Sequence, residues 1–283
     1  MTDATFVHDE LGRLRALVDS LGETLDPSIL IGGWATWMRI GGDAFFSRDI
    51  DLIINSPALR TTLRETLDDY SESRHRGGMK VRGTINGIHI DAYIPHESEL
   101  GDKLRLKVVV LVRHTDPEPM QRWILLNAEA HTISKVAALL DRPESEKGRK
   151  DAREVLAMLF PDGARNMPPV DPAYAISILY DATAGPAEDV PAHVQRAFAL
   201  LSELGEINKK RRRELDTMAK VWVNEAKDQL AARQHPNRAA GFVIPTTGIE
   251  ASSQPRRKSS GEPGNPEKWT STRRPGGDIA LGS

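Results

Sequence analysis

Ile29 to Ile54 reads ILIGGWATWMRIGGDAFFSRDIDLII, and the order of its parts decides how the rest of the chain is read. A first strand, Ser28 to Ile31, runs into Gly32-Gly33; a short apolar helix follows; a second strand, Ile50 to Ile54, is opened by Asp49-Ile50-Asp51. Strand side chains alternate faces, so Asp49 and Asp51 point one way while Ile50 points into a core. Carboxylates held together in this way suit a divalent cation. A Gly-Gly turn at a helix N-terminus offers backbone N–H groups and the positive end of the helix dipole to phosphate, with no Cβ in the way. The combination points to transfer of a phosphate-bearing group.

Outward from this stretch, Val7, Leu11, Leu14, Val18 and Leu21 recur at helical spacing and predict an amphipathic helix ending near Gly22. Downstream, Pro57 starts a helix with Leu59, Leu63 and Leu67 on one face. In MKVRGTINGIHIDAYIP, Asn86-Gly87 separates two alternating runs and predicts a type I′ hairpin. Its second strand places Ile88, Ile90, Ala92 and Ile94 on one face and His89, Asp91 and Tyr93 on the other. Asp91 is thus a further carboxylate set by period-two logic. Asp-x-Asp alone also describes a solvated strand edge, and Gly-Gly alone a simple turn. Strand, Gly-Gly, helix, Asp-apolar-Asp and a later strand Asp in one run is more specific.

Beyond the hairpin, Leu104 to His114 predicts a strand, and helices are expected over about Ala130 to Leu140 and Lys150 to Leu159. A domain boundary is placed in or near Phe160 to Pro172, followed by helices over Asp171 to Thr183 and Pro191 to about Arg233. Residues 234–283 are rich in Pro, Gly, Ser and Arg with few apolar anchors, and are expected to be disordered.

The chain has 283 residues, enough for one large or two moderate cores, and only 39% are hydrophobic. It has no cysteine, which excludes disulfides, thiolate zinc sites and cysteine nucleophiles, so any metal falls to oxygen or imidazole. A net charge of -2 excludes a uniformly basic nucleic-acid coat but allows local basic patches such as Lys209 to Arg213. No apolar run is long enough to span a bilayer and no secretory signal is evident, so a cytoplasmic location is expected.

Gly32-Gly33, Asp49-Ile50-Asp51 and Ile90-Asp91 resemble, in order, the signature of the nucleotidyltransferase superfamily, the fold of DNA polymerase beta and its small relatives. The gap from Gly33 to Asp49 is slightly longer than usual in that family, consistent with an extended loop at Gly41 to Phe46. SKVAALLDRPESEKGRKDAREVLAML and Ser47-Arg48-Asp49-Ile50-Asp51 further resemble AbiEii-type and MenT-type toxin nucleotidyltransferases. The resemblance implies an α+β fold: a mixed β-sheet catalytic domain flanked by helices over 1–165, a helical domain over 166–233, and the tail.

By the resemblance, Asp49, Asp51 and Asp91 are catalytic and hold two Mg²⁺ ions, with Mn²⁺ the alternative, and Asp91 also orients or deprotonates an acceptor hydroxyl. Gly32, Gly33, Ser47, Arg48 and Lys135 would hold the nucleotide, with Asp151 or Glu154 completing the pocket. A toxin of this kind implies a nucleoside triphosphate, an RNA acceptor such as tRNA, and a cognate antitoxin protein. For Lys135 and Asp151, an exposed lysine and an aspartate favoured by a helix dipole is the equal alternative. Trp34 and Trp37 read as core packing or as a base-stacking pair. Lys209 to Arg213 reads as a solvated helix face or as contacts to an RNA acceptor. Two other functions stay open: modification of a small molecule such as an aminoglycoside, and nucleotide binding without catalysis.

Overall fold

The structure, a computed structural model, describes residues 3–41, 47–75, 78–120, 122–161 and 168–235. The Gly41 to Phe46 loop beyond Gly41, and the tail from residue 236 onward, lie outside them. Among the described residues no helix is long and apolar enough to cross a membrane.

Helix α1 (Asp3–Thr24) precedes strand β1 (Ile29–Ile31), helix α2 (Gly32–Ile40) and strand β2 (Asp49–Ile53). Leu11, Leu14, Val18 and Leu21 of α1 share a core with Leu30 and Leu52 of the strands, and the Trp123 indole N–H donates to the Val18 carbonyl at 2.9 Å. Helix α3 (Pro57–Thr66) begins where Ser56 accepts from the Ala58 amide and Pro57 presets the first turn. Strands β3 (Asp68–His75), β4 (Gly78–Ile85) and β5 (Ile88–Leu100) then run as an antiparallel meander. Asn86 and Gly87 both have positive φ (53° and 76°), the backbone a type I′ turn requires.

Strand β6 (Leu106–Lys107), the one-turn helix α4 (Val108–Leu111) and strand β7 (Ile124–Leu125) lead into helices α5 (Ala128–Asp141), α6 (Glu146–Leu159), α7 (Pro172–Ala182), α8 (Val190–Leu204) and α9 (Lys209–Gln234). The strand order is β3-β4-β5-β2-β1-β7, with β6 paired to β5. β2 runs parallel to β5 and antiparallel to β1, so the sheet is mixed and the fold is α+β.

Two expectations are corrected, and one strand is added. Leu104 to His114 is not one strand: after Leu106 and Lys107 pair with β5, the chain turns helical and buries Val108 and Leu111 in the core shared with α5 and α7. Burial against helices there overrides the β-propensity of three valines. The helix expected from Pro191 to about Arg233 breaks at Gly205, and Asn208 caps a new one by accepting from the Arg211 amide at 2.9 Å. β3 was not expected, because DDYSESRH lacks apolar alternation; it is a polar edge strand that pairs on one side with β4.

The described residues belong to one compact unit. One hydrophobic cluster joins Ile29, Leu106 and Ile133 to Ile176, Leu201 and Trp222.

The edge strand is tied to α3 by charge. Arg60 donates to both Glu72 oxygens, one of them at 2.9 Å through Nε, and Tyr70 and Arg64 also donate to Glu72. These bonds, Arg60 first, hold the Glu72 carboxyl at about 2 against an ordinary 4.5. A depressed carboxyl stabilises the fold fully above its unfolded value, so this contribution is present above about pH 4.5 and lost as pH falls towards 2. A carbon-13 NMR titration of Glu72 should place its midpoint near 2 and return it towards 4.5 in Arg60→Ala. A wild-type midpoint near 4.5 would refute the tie.

Candidate active site

Strand pairing assembles the site. In the parallel β2/β5 ladder Asp49 lies opposite His89, and Asp51 opposite Asp91. Asp51 and Asp91 are therefore neighbours on adjacent strands and on one face, which the sequence of neither strand specifies. In the antiparallel β1/β2 ladder Ile31 pairs with Asp51, which brings the start of α2 against the same carboxylate. Gly32 has φ +69°, and a Cβ there would strike the Asp51 carboxylate. At Gly33 a Cβ would lie 2.8 Å from the Ser47 Cβ and 3.1 Å from the Lys150 Nζ. Only glycine lets the turn approach those side chains.

A cavity of about 840 Å³ opens on this face. It is lined by Gly32, Gly33, Ser47, Arg48, Asp49, Asp51, Asp91, Lys135 and Asp151, every residue expected at the site. Lys80, Arg142, Lys147 and Lys150 join them. Lys80 was within reach of sequence reasoning: counting back from the Asn86-Gly87 turn sets Arg82 opposite Asp91 and Lys80 opposite Tyr93. Lys147 and Lys150 were not, because only the α5/α6 packing turns the start of α6 towards β2.

The carboxylates are met by ammonium groups. Lys80 lies 2.5 Å and the Arg82 Nε 3.3 Å from Asp91, and Lys147 donates to Asp49 at 2.7 Å. Burial presses the Asp49 carboxyl up, but the hydrogen bond and charge of Lys147, with His89 and Lys150, outweigh it and leave Asp49 below its ordinary value. Asp51 goes the other way: burial raises it, Lys80 opposes, and the charge of Asp91 adds to the rise. Lys150 is lowered, chiefly by burial.

Lys135 does not project freely into the cavity. It is 6% exposed and locked between Glu154, its nearest partner, and Asp151 at 3.6 Å. Burial pushes its ammonium down, and Glu154 and Asp151 more than reverse that. Asp151 also accepts from the Arg142 Nε at 2.8 Å, so it serves the cavity by holding two cations in place. Glu154 is fully buried beneath them, with Lys150 3.7 Å away.

Tyr93 lines the cavity under Lys80, whereas His89 is exposed beside it. Trp34 and Trp37 are buried, edge to face at 5.5 Å, in the core on the far side of the sheet. They pack the fold and do not line this cavity. None of Lys209 to Arg213 lines it either.

Among the described residues no three acidic or histidine side chains converge into a metal-ion cluster. Lys80 and Lys147 occupy Asp91 and Asp49 instead. The donor chemistry nevertheless fits a hard cation. Asp51 and Asp91 are neighbours in register, and the Asp51 carboxyl, raised first by burial, is raised further by the Asp91 and Asp49 charges, which a cation would offset.

No protein-family model matches the sequence, and no curated protein matches it. Among solved structures, the chain is similar to the crystal structure of an antigenic nucleotidyltransferase-like protein from Paracoccidioides brasiliensis, with 17% identity, 73% of this chain and 92% of that chain covered, and a TM-score of 0.41.

The buried Lys135–Glu154 pair predicts a large loss on breaking it. Glu154→Ala leaves the Lys135 charge under-compensated and should cost about 3–5 kcal/mol in a urea denaturation. A cost below about 1 kcal/mol, the range of surface pairs, would show the pair to be solvated.

Proposed function

We propose that the chain is a Mg²⁺-dependent nucleotidyltransferase, moving a nucleoside monophosphate from a nucleoside triphosphate to a hydroxyl acceptor and releasing pyrophosphate. The observation that carries this reading is the register of Asp51 beside Asp91 with the Gly32-Gly33 turn packed against the same carboxylate. Charge balance supports it. Six aspartates (49, 51, 91, 102, 141 and 151) and six cations (Arg48, Lys80, Lys135, Arg142, Lys147 and Lys150) line the cavity. A site for a cation alone would be acidic and one for polyphosphate alone basic; a balanced cavity suits both together.

In this reading the Gly32-Gly33 backbone, Ser47 and Lys150 bind the triphosphate, with Arg48 and Arg142 at its edges. Asp49, Asp51 and Asp91 would hold Mg²⁺. Bound there, the ion neutralises phosphoryl charge and lowers the barrier to displacement. Asp91 orients the acceptor hydroxyl and takes its proton. The acceptor oxygen bonds to the α-phosphorus, the bond from that phosphorus to the bridging oxygen breaks, and pyrophosphate leaves. Lys135, pinned by Glu154 and Asp151, supplies fixed positive charge behind the phosphates.

An RNA acceptor such as tRNA, and a toxin role with a cognate antitoxin, rest on the sequence resemblance. A second reading, with a small-molecule acceptor, is favoured by one observation: Lys209 to Arg213 stand outside the cavity.

The test is transfer of label. The protein with Mg²⁺, each labelled nucleoside triphosphate in turn, and total tRNA or an aminoglycoside should label one acceptor. Asp49→Ala and Asp51→Ala should each lower the rate by about 10²–10³-fold or more. Absence of transfer with every nucleotide and both acceptors, or rates indifferent to both substitutions, would sink the assignment.

A further inference from the structure

We propose that the exposed face of α6 is a phosphate track along which a single-stranded polynucleotide acceptor reaches the cavity. This rests on the nucleotidyltransferase reading with a polynucleotide acceptor and assigns the path by which that acceptor arrives. A second cavity, of about 440 Å³, lies beside the first and is lined by Lys147, Arg149, Lys150 and Arg153, with Glu146 and Glu206 also on its wall. Lys147 and Lys150 line both cavities, so the two adjoin across these side chains. Their ammonium groups are partly engaged inward, with Asp49 and Glu154.

Arg149 and Arg153 differ from them. Both are exposed, and neither is ion-paired with another described residue. They stand four residues apart on one helix face, where like charges repel. The repulsion works against helix stability, and although Glu146 and Glu206 share the cavity wall, neither forms an ion pair with Arg149 or Arg153. Their Cα atoms are about 6 Å apart along the axis, a spacing that successive phosphates of an extended strand can follow. Guanidinium groups suit phosphate through paired donors. The track leads past Lys147 into the first cavity, where a terminal hydroxyl would meet Asp91 and the triphosphate. The run Lys209 to Arg213 lines neither cavity and is not this track.

The experiment uses the full chain, a fluorescein-labelled single-stranded RNA oligonucleotide and its DNA counterpart, with anisotropy read across a salt series. Arg149→Ala/Arg153→Ala should weaken binding of the preferred strand about tenfold and lower the slope of log affinity against log salt by about 1.4, two contacts at roughly 0.7 each. Binding of a fluorescent nucleoside triphosphate should be unchanged, because neither arginine lines the nucleotide cavity. The thermal midpoint should stay level or rise, since a repulsive pair has been removed. Unaltered strand affinity, a lowered midpoint, or a loss that follows Arg212→Ala/Arg213→Ala instead would overturn the proposal. Its failure would leave triphosphate binding intact, whereas a wild-type protein that binds no triphosphate would fail the catalytic reading itself.

Discussion

The parallel pairing of β2 with β5 is the constraint on which the site depends. It sets Asp51 beside Asp91, and two neighbouring carboxylates in a partly buried cleft are tolerated only with positive charge close by. The fold supplies that charge from three directions: Lys80 from β4, Lys147 and Lys150 from the start of α6, and Lys135 from α5. Each cation comes on an element whose apolar face is buried elsewhere, so the site is held by the packing of the whole unit.

The same balance explains the opposite shifts of the two motif aspartates. Asp49 has a lysine of its own and is held ionised, while Asp51 sits deeper, shares Lys80 with Asp91 and is pushed towards protonation. The buried Lys135, Glu154 and Asp151 group works differently. It fixes the Lys135 ammonium in one orientation by pairing it with two buried carboxylates.

Much of the fold around the site was legible because its signals are local. Gly32-Gly33, the alternation of Asp49-Ile50-Asp51 and the Asn86-Gly87 turn each fix backbone geometry within a few residues. The valine run at Val108 to Val112 misled because its conformation is decided by the helices it packs on, and β3 was missed because an edge strand needs no apolar alternation. The α8/α9 break was in fact written locally, in Gly205 and the capping Asn208, but was masked by a continuous helical composition.

The sequence by itself singled out the glycine turn, the three carboxylates, Lys135 and Asp151, all of which line one cavity. Period-two alternation and turn chemistry act over short distances, so a chain read residue by residue displays them. Only the tertiary structure decided what those residues face. Register between strands β2 and β5, separated by two other strands in sequence, put Asp51 against Asp91. Helix packing turned Lys147 and Lys150 inward and left Arg149 and Arg153 outward. Such facings are set by contacts between distant segments, and no local pattern encodes them.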